Sequence, residues 1–207
     1  MLRTHEIHPS IVHFPLTLVP TALALDAIGE ATDNRALMNA GKVLMPIAAA
    51  SAAVAGAAGF ISQGAVKAEG EAHEMLVTHR NLNAMLVCTT TAMAIYRQTR
   101  ERPGIAYLLA GAAGLLAMSY TAYLGGKMVY AHGVGVEPQG VDIAKSPELR
   151  AGELGRAARE SARHIVEQTR IAAQEAAAGE IAPAARTLVG GAARGNGAAE
   201  EMLTSGL

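Results

Sequence analysis

VLMPIAAASAAVAGAAGFISQGAV, from Val43 to Val66, carries no formal charge, no period-two alternation and an excess of Ala. As a helix the run exceeds the about 20 residues that cross a hydrocarbon core. A membrane strand needs only about 9–11 residues with alternating faces, so the stretch reads as a transmembrane helix. Working outward, three more uncharged runs follow the same rule: Ile7–Leu25, Asn81–Tyr96 and Pro103–Gly126. The third is short, and Arg80 and Arg97 at its ends are expected to snorkel and extend it. The expected fold is all-α: a four-transmembrane-helix bundle with spans of about 8–30, 43–66, 79–97 and 103–126. An even number of crossings puts both chain ends on one side.

The opening Met1–Glu6 is short, and Pro15, Pro20 and Asp26 interrupt the first run without a small-residue cleavage site, so a mature helix is expected instead of a signal peptide. Hydrophobic residues make up 51% of the 207 but aromatics only 3%, which predicts helices packed through Ala and Gly. Ser51, Ala55 and Gly59, and again Ala110 and Gly114, recur at four-residue spacing and are expected to lie at helix contacts. Trp is absent, so no strong aromatic belt marks the interfaces. The single cysteine, Cys88, stands mid-span and reads as a packing residue. A net charge of −1 with scattered basic residues argues against a nucleic-acid partner.

Orientation rests on Lys and Arg near the span ends. Arg97, Arg100 and Arg102 cluster in one turn, and Arg35 and Lys42 lie in another on the same side, which is expected to be cytoplasmic. The opposite end, with both termini, is then periplasmic in a bacterial inner membrane. Arg3, Lys67, Arg80, Lys127 and Lys145 on that side weaken the bias.

From Val134 the chain changes character. Residues 1–136 form the expected membrane domain and 137–207 a soluble, amphipathic helical tail with a loose end. A helix is expected from Ser146 to Ala178, opened by Ser146-Pro147-Glu148 and carrying Arg156/Glu160 and Arg163/Glu167 at four-residue spacing. Its thin apolar stripe, Ala157, Ala158, Ala162, Ile165 and Ile171, is expected to seek a partner. His164 reads as a surface residue, and a short second helix is expected over about 182–189.

Five of the seven histidines gather at one end of the spans: His8, His13, His73, His79 and His132. Ionisable ligand-type residues at membrane depth mark a site by default. His13 heads a stripe with Thr17 and Thr21, and His79 one with Asn83 and Thr90, so the first and third spans are expected to face each other through His13 and His79. Pro15 and Pro20 would bend the first helix there. Two opposed imidazoles suit the axial positions of a haem iron, with Arg80, Lys127 or Arg3 meeting the propionates. His8 and His132 would be supporting or alternative ligands. The same residues with Glu71 or Glu74 leave open a zinc, copper or non-haem iron site, and a proton relay or quinone pocket needs no metal at all.

His8-Pro-Ser-Ile-Val-His13-Phe-Pro15-Leu, His79 with Asn83, and Leu124-Gly-Gly-Lys-Met-Val-Tyr-Ala-His132-Gly-Val-Gly-Val resemble the end motifs of a widespread bacterial membrane-domain family of unknown function, described as four-helix integral membrane proteins. The resemblance runs from about Thr4 to Val136. Some relatives carry a cytochrome c module on the histidine side, which implies redox work and an outward-facing site. It singles out His8, His13, His79 and His132, and ranks His73 lower.

The reading that follows is a membrane b-type haem protein transferring electrons at the periplasmic face, through His13 and His79 as ligands, with a quinol or a periplasmic cytochrome as partner. The competing reading is a non-catalytic membrane anchor or scaffold, a homo-oligomer or a subunit of a membrane complex, whose tail docks a partner. No nucleophile-and-base arrangement, phosphate loop or dinucleotide motif supports a hydrolase or kinase.

Overall fold

The structure is a computed structural model, and it describes residues 4–135 and 154–185. Six helices are present among these residues: α1 (Thr4–Ile11), α2 (His13–Ala31), α3 (Arg35–Gln63), α4 (Glu71–Gln98), α5 (Ile105–His132) and α6 (Leu154–Ala177). No β-sheet occurs among them. The helices α2 to α5 each pack on the next in chain order, and α5 returns to α2, closing a four-membered ring. The short α1 and the tail helix α6 both lean on α3.

Outward-facing residues are apolar along much of the ring. Val43, Ile47 and Val54 of α3, Ile105, Leu109 and Leu116 of α5, and Phe14 and Ile28 of α2 are exposed. A surface of that kind wants lipid. The joined α1–α2 segment from Glu6 to Ala31, α3 and α5 are each long and apolar enough to cross a membrane. Helix α4 is equally long but carries charge at both ends around its uncharged run 81–96.

Each helix begins or ends where local chemistry requires it. The first expected span breaks at Val12 because Pro15 has no N–H for the Ile11 carbonyl and its ring crowds that oxygen. Helix α3 starts eight residues before the uncharged run, at Arg35, since the Asn34 side chain accepts from the Ala36 and Leu37 N–H groups at 3.0 and 3.3 Å. Charge counting alone misses such a polar first turn. Helix α4 also begins early, after Gly70 at φ 55°, which leaves His79 in the third turn and not at the opening. Helix α5 runs on to His132 and ends in a left-handed Gly133 at φ 64°. There the N–H groups of Gly133 and Val134 donate to Val129 and Met128.

Two expectations about packing change. Ala110 is exposed, and the contact face of α5 passes instead through Gly111, where an added Cβ would stand 2.5 Å from Leu23 Cδ2. Arg97 does not snorkel. Its side chain is 0% exposed and bonds Asp26, also 0% exposed, through Nε at 3.0 Å and Nη2 at 2.9 Å. Nη2 also donates to the Met38 carbonyl and Nη1 to that of Arg100, while the Tyr107 hydroxyl donates to Asp26 Oδ2 at 2.9 Å. This clasp joins α2, α3, α4 and α5 at the end away from the histidines.

The start of the tail helix, expected at Ser146, lies outside the described residues, as does the second half of the short helix expected over 182–189. Helix α6 ends at Ala177, and Gly179 at φ 84° turns the chain. Its inward face is Ala157, Ser161, His164, Ile165, Gln168, Ile171 and Glu175, whereas Ala158 and Ala162 are exposed. That face meets the chain's own bundle.

Candidate functional site

His8 and His79, from α1 and α4, lie with ring centres 6.5 Å apart and planes at 89°. Their settings match. His8 Nδ1 bonds the Ala55 carbonyl of α3 at 2.9 Å, and His79 Nδ1 bonds the Thr121 carbonyl of α5 at 2.8 Å. Four residues on from each acceptor stands a glycine: a Cβ on Gly59 would come 3.2 Å from His8 Nδ1, and one on Gly125 would come 3.3 Å from His79 Cε1. A helical carbonyl at i points toward residue i+4, so a glycine there leaves its second lone pair open to a side chain. Each imidazole sits in such a notch. The Ser51-Ala55-Gly59 spacing, expected to serve helix contact, thus forms one of the two seats.

A carbonyl only accepts, so each Nδ1 carries the proton and each neutral ring keeps its lone pair on Nε2. That tautomer, fixed by a backbone carbonyl, is the one in which histidine ligates metals through Nε2. Asn83, one turn below His79, donates to the His79 carbonyl at 2.7 Å and accepts from the Thr121 hydroxyl at 3.4 Å. It therefore braces the α4–α5 contact beneath the ring.

His13 is the residue that changes place. It is exposed, as are Thr17 and Thr21, and the Thr21 hydroxyl donates to the Thr17 carbonyl of its own helix at 2.7 Å. The buried face of α2 runs through Pro15, Val19, Ala22 and Asp26. His13 precedes Pro15 by two positions, about 200° around a helix, and so points away from the core. The structure pairs His79 with His8, not with His13. A signal was present: His8 stands seven residues before Pro15, two helical turns, and so shares the face of the buried Pro15, Ala22 and Gly29.

The other expected residues form a second group nearer the helix ends. His132 closes α5, with a buried Nε2 that has no hydrogen-bond partner among the described residues. Glu71 receives Lys127 Nζ at 2.8 Å, and that ammonium holds its carboxyl below the usual range. His73 is exposed and lies 3.8 Å from Glu175 of α6. Arg80 is buried, its side chain 4% exposed, and pairs through Nη2 with Glu175. Its Nε donates to Asn81 Oδ1 at 3.0 Å.

The tail holds this end further. Asn81 Nδ2 donates to the Ile181 carbonyl at 2.8 Å, and the Ala184 N–H donates to the Thr78 hydroxyl at 3.0 Å. His164, expected at the open surface, is half-buried against Gly64, where a Cβ would come 3.2 Å from its Nδ1. Among the described residues no group of three or more His, Cys, Asp or Glu side chains converges as a metal site. Sequence reading missed the Arg80–Glu175 pair, because nothing local links positions 95 apart.

Neither a curated protein nor a solved structure matches the chain. The family model described as a predicted membrane protein, DUF2231, matches residues 4–138, and the chain belongs to that family.

Proposed function

We propose that the protein binds a b-type haem between His8 and His79 and passes electrons at the histidine end of the membrane, the end we assign to the periplasm. The observation that carries this reading is the matched pair of seats: two imidazoles from separate helices, each with Nδ1 on a backbone carbonyl beside a glycine, 6.5 Å apart. A metal ion held by protein alone wants three or four side-chain ligands. Two histidines suffice only where the remaining ligands arrive with the cofactor, as a macrocycle supplies them. That argument favours haem over zinc, copper or non-haem iron. Ring centres at this separation also suit nitrogens on opposite sides of one ion better than the bent angle of a tetrahedral site.

When bound, haem would supply one-electron chemistry. The chain's own part is to hold both rings in one tautomer through Ala55 and Thr121, to brace the His79 backbone through Asn83, and to leave room beside Gly59 and Gly125. Arg80, paired with Glu175, and Lys127, paired with Glu71, are the cations at this end that would meet a propionate. A quinol or a periplasmic cytochrome remains the partner class this chemistry calls for. The test is expression with haem supplementation followed by reduced-minus-oxidised spectra. A b-type band should appear, vanish in both His8→Ala and His79→Ala, and survive in His13→Ala. Absence of the band from the unmodified protein, or its persistence in both of the first two variants, refutes the assignment.

A further inference from the structure

Arg80 stands immediately before the uncharged run of α4, at the end of the bundle that holds the histidines. Although it is buried, its hydrogen bonding is incomplete. Nε is fixed by Asn81, Nη2 is taken by one oxygen of Glu175, and the buried Nη1 has no partner among the described residues. The second Glu175 oxygen faces His73 Nε2 at 3.8 Å, too long for a hydrogen bond. A planar carboxylate delivered from α6 thus leaves Arg80 Nη1 short of an acceptor, with the exposed His73 ring close by.

We propose that Arg80, with His73, is a binding site for a phosphate group, and that Glu175 is the internal occupant such a group displaces. A tetrahedral oxyanion offers more acceptor oxygens than a carboxylate and can meet both guanidinium nitrogens together. The place of Arg80 at the end of the uncharged run 81–96, in a bundle whose outer face is apolar, favours the headgroup of an anionic phospholipid over free phosphate as the source.

Displacement has a structural consequence. Helix α6 buries little apolar surface, chiefly Ala157, Ile165 and Ile171, and Glu175 supplies its ion pair with α4, whereas the Asn81 and Thr78 bonds go to Glu180, Ile181 and Ala184 beyond its end. An element with few buried apolar contacts opens at low cost. Phosphate at Arg80 therefore releases α6 from the histidine end. This site is independent of haem: it needs nothing between His8 and His79.

The test uses the full chain with Cys88→Ser and spin labels at Glu69→Cys and Val166→Cys, both exposed positions, in phosphate-free maltoside micelles. Interlabel distances are measured by pulsed electron resonance as phosphatidylglycerol or inorganic phosphate is added. Added phosphatidylglycerol should lengthen the distance, and Glu175→Gln should lower the half-maximal lipid concentration about tenfold. Arg80→Gln should abolish the dependence. A response to lipid alone assigns the site to headgroups, and an equal response to inorganic phosphate assigns it to the free ion. Unchanged distances with both additions, in both the labelled parent and Glu175→Gln, overturn the proposal. So does an equal shift produced by chloride at matched ionic strength.

Discussion

At the end of the bundle that holds the two short turns, Arg97 and Asp26 are fully buried and richly paired; at the histidine end, Arg80 is almost as deeply buried but has one guanidinium nitrogen without a partner among the described residues. Around the clasp the neighbouring turns are tied as well. Arg102 reaches Glu30 and Asp33, Lys42 reaches the Arg100 carbonyl, and Gln98 reaches that of Lys42. Around the histidines, Tyr120 Oη and His132 Nε2 are also buried without a partner among the described residues. A buried polar group that is satisfied rigidifies, and one that is not carries a cost that a ligand can relieve. The difference separates what holds this protein together from what it can still do.

The sharpest way to break the comparison is at the clasp. Removing one partner of a buried ion pair strands the other, which costs about 3–5 kcal/mol. Arg97→Ala should therefore lower stability by that amount, read as a drop in the unfolding temperature in detergent. Arg97→Lys should recover only part of it, because a point charge cannot bond Asp26 and the Met38 and Arg100 carbonyls together. Equal stability of Arg97→Ala and the parent protein would mean that the clasp is not the structural end.

Glycines sharpen the same contrast at a smaller scale. A Cβ on Gly41 would stand 2.5 Å from Asp26 Oδ1 and 3.0 Å from the Ala22 carbonyl. Gly41→Ala must push α2 away from α3 and should cost about 1–3 kcal/mol. Gly125→Ala meets the His79 ring, Cε1 at 3.3 Å and Nδ1 at 3.7 Å, and a side chain can yield where a backbone cannot. Its expected effect is a stability loss of less than about 1 kcal/mol with a changed His79 environment, visible as a shifted imidazole resonance. If Gly125→Ala were the more destabilising of the two, the notch beside Thr121 would be a packing device and not a seat for the ring.

How much of this could be read in advance differs between the two ends for physical reasons. Long uncharged runs announce helices because lipid forbids unpaired backbone, so the four long helices were legible. Their true starts at Arg35 and Glu71 were not, since polar first turns depend on caps such as Asn34 that charge counting ignores. The clasp was half visible: Asp26 is an acid inside an apolar helix, with Glu30 one turn on, and Arg97 is the last base of another. Only the depth match between two antiparallel helices makes them partners. The histidine end was legible as a gathering of imidazoles, but the choice of His8 over His13 needed the buried face of the first span, since His8 keeps the seven-residue spacing of Pro15, Ala22 and Gly29 and His13 does not. The docking of α6 rests on contacts about a hundred residues apart, for which no spacing rule exists.

The smallest effect discriminates most finely. His8 is half-buried and makes one recorded hydrogen bond, to Ala55. Replacing it removes a bond whose net worth is about 0.5–1.5 kcal/mol, and the freed Ala55 carbonyl keeps its helical partner at Gly59. His8→Ala should therefore leave the unfolding temperature within a few degrees of the parent. Tyr107→Phe removes one bond as well, but from a fully buried carboxylate, and should cost about 1.5–3 kcal/mol because the acceptor is charged. Measured side by side, Tyr107→Phe should be the more destabilising even though both delete a single hydrogen bond. The reverse order would make His8 a structural pin between α1 and α3, and would take from the histidine pair the freedom that its proposed role requires.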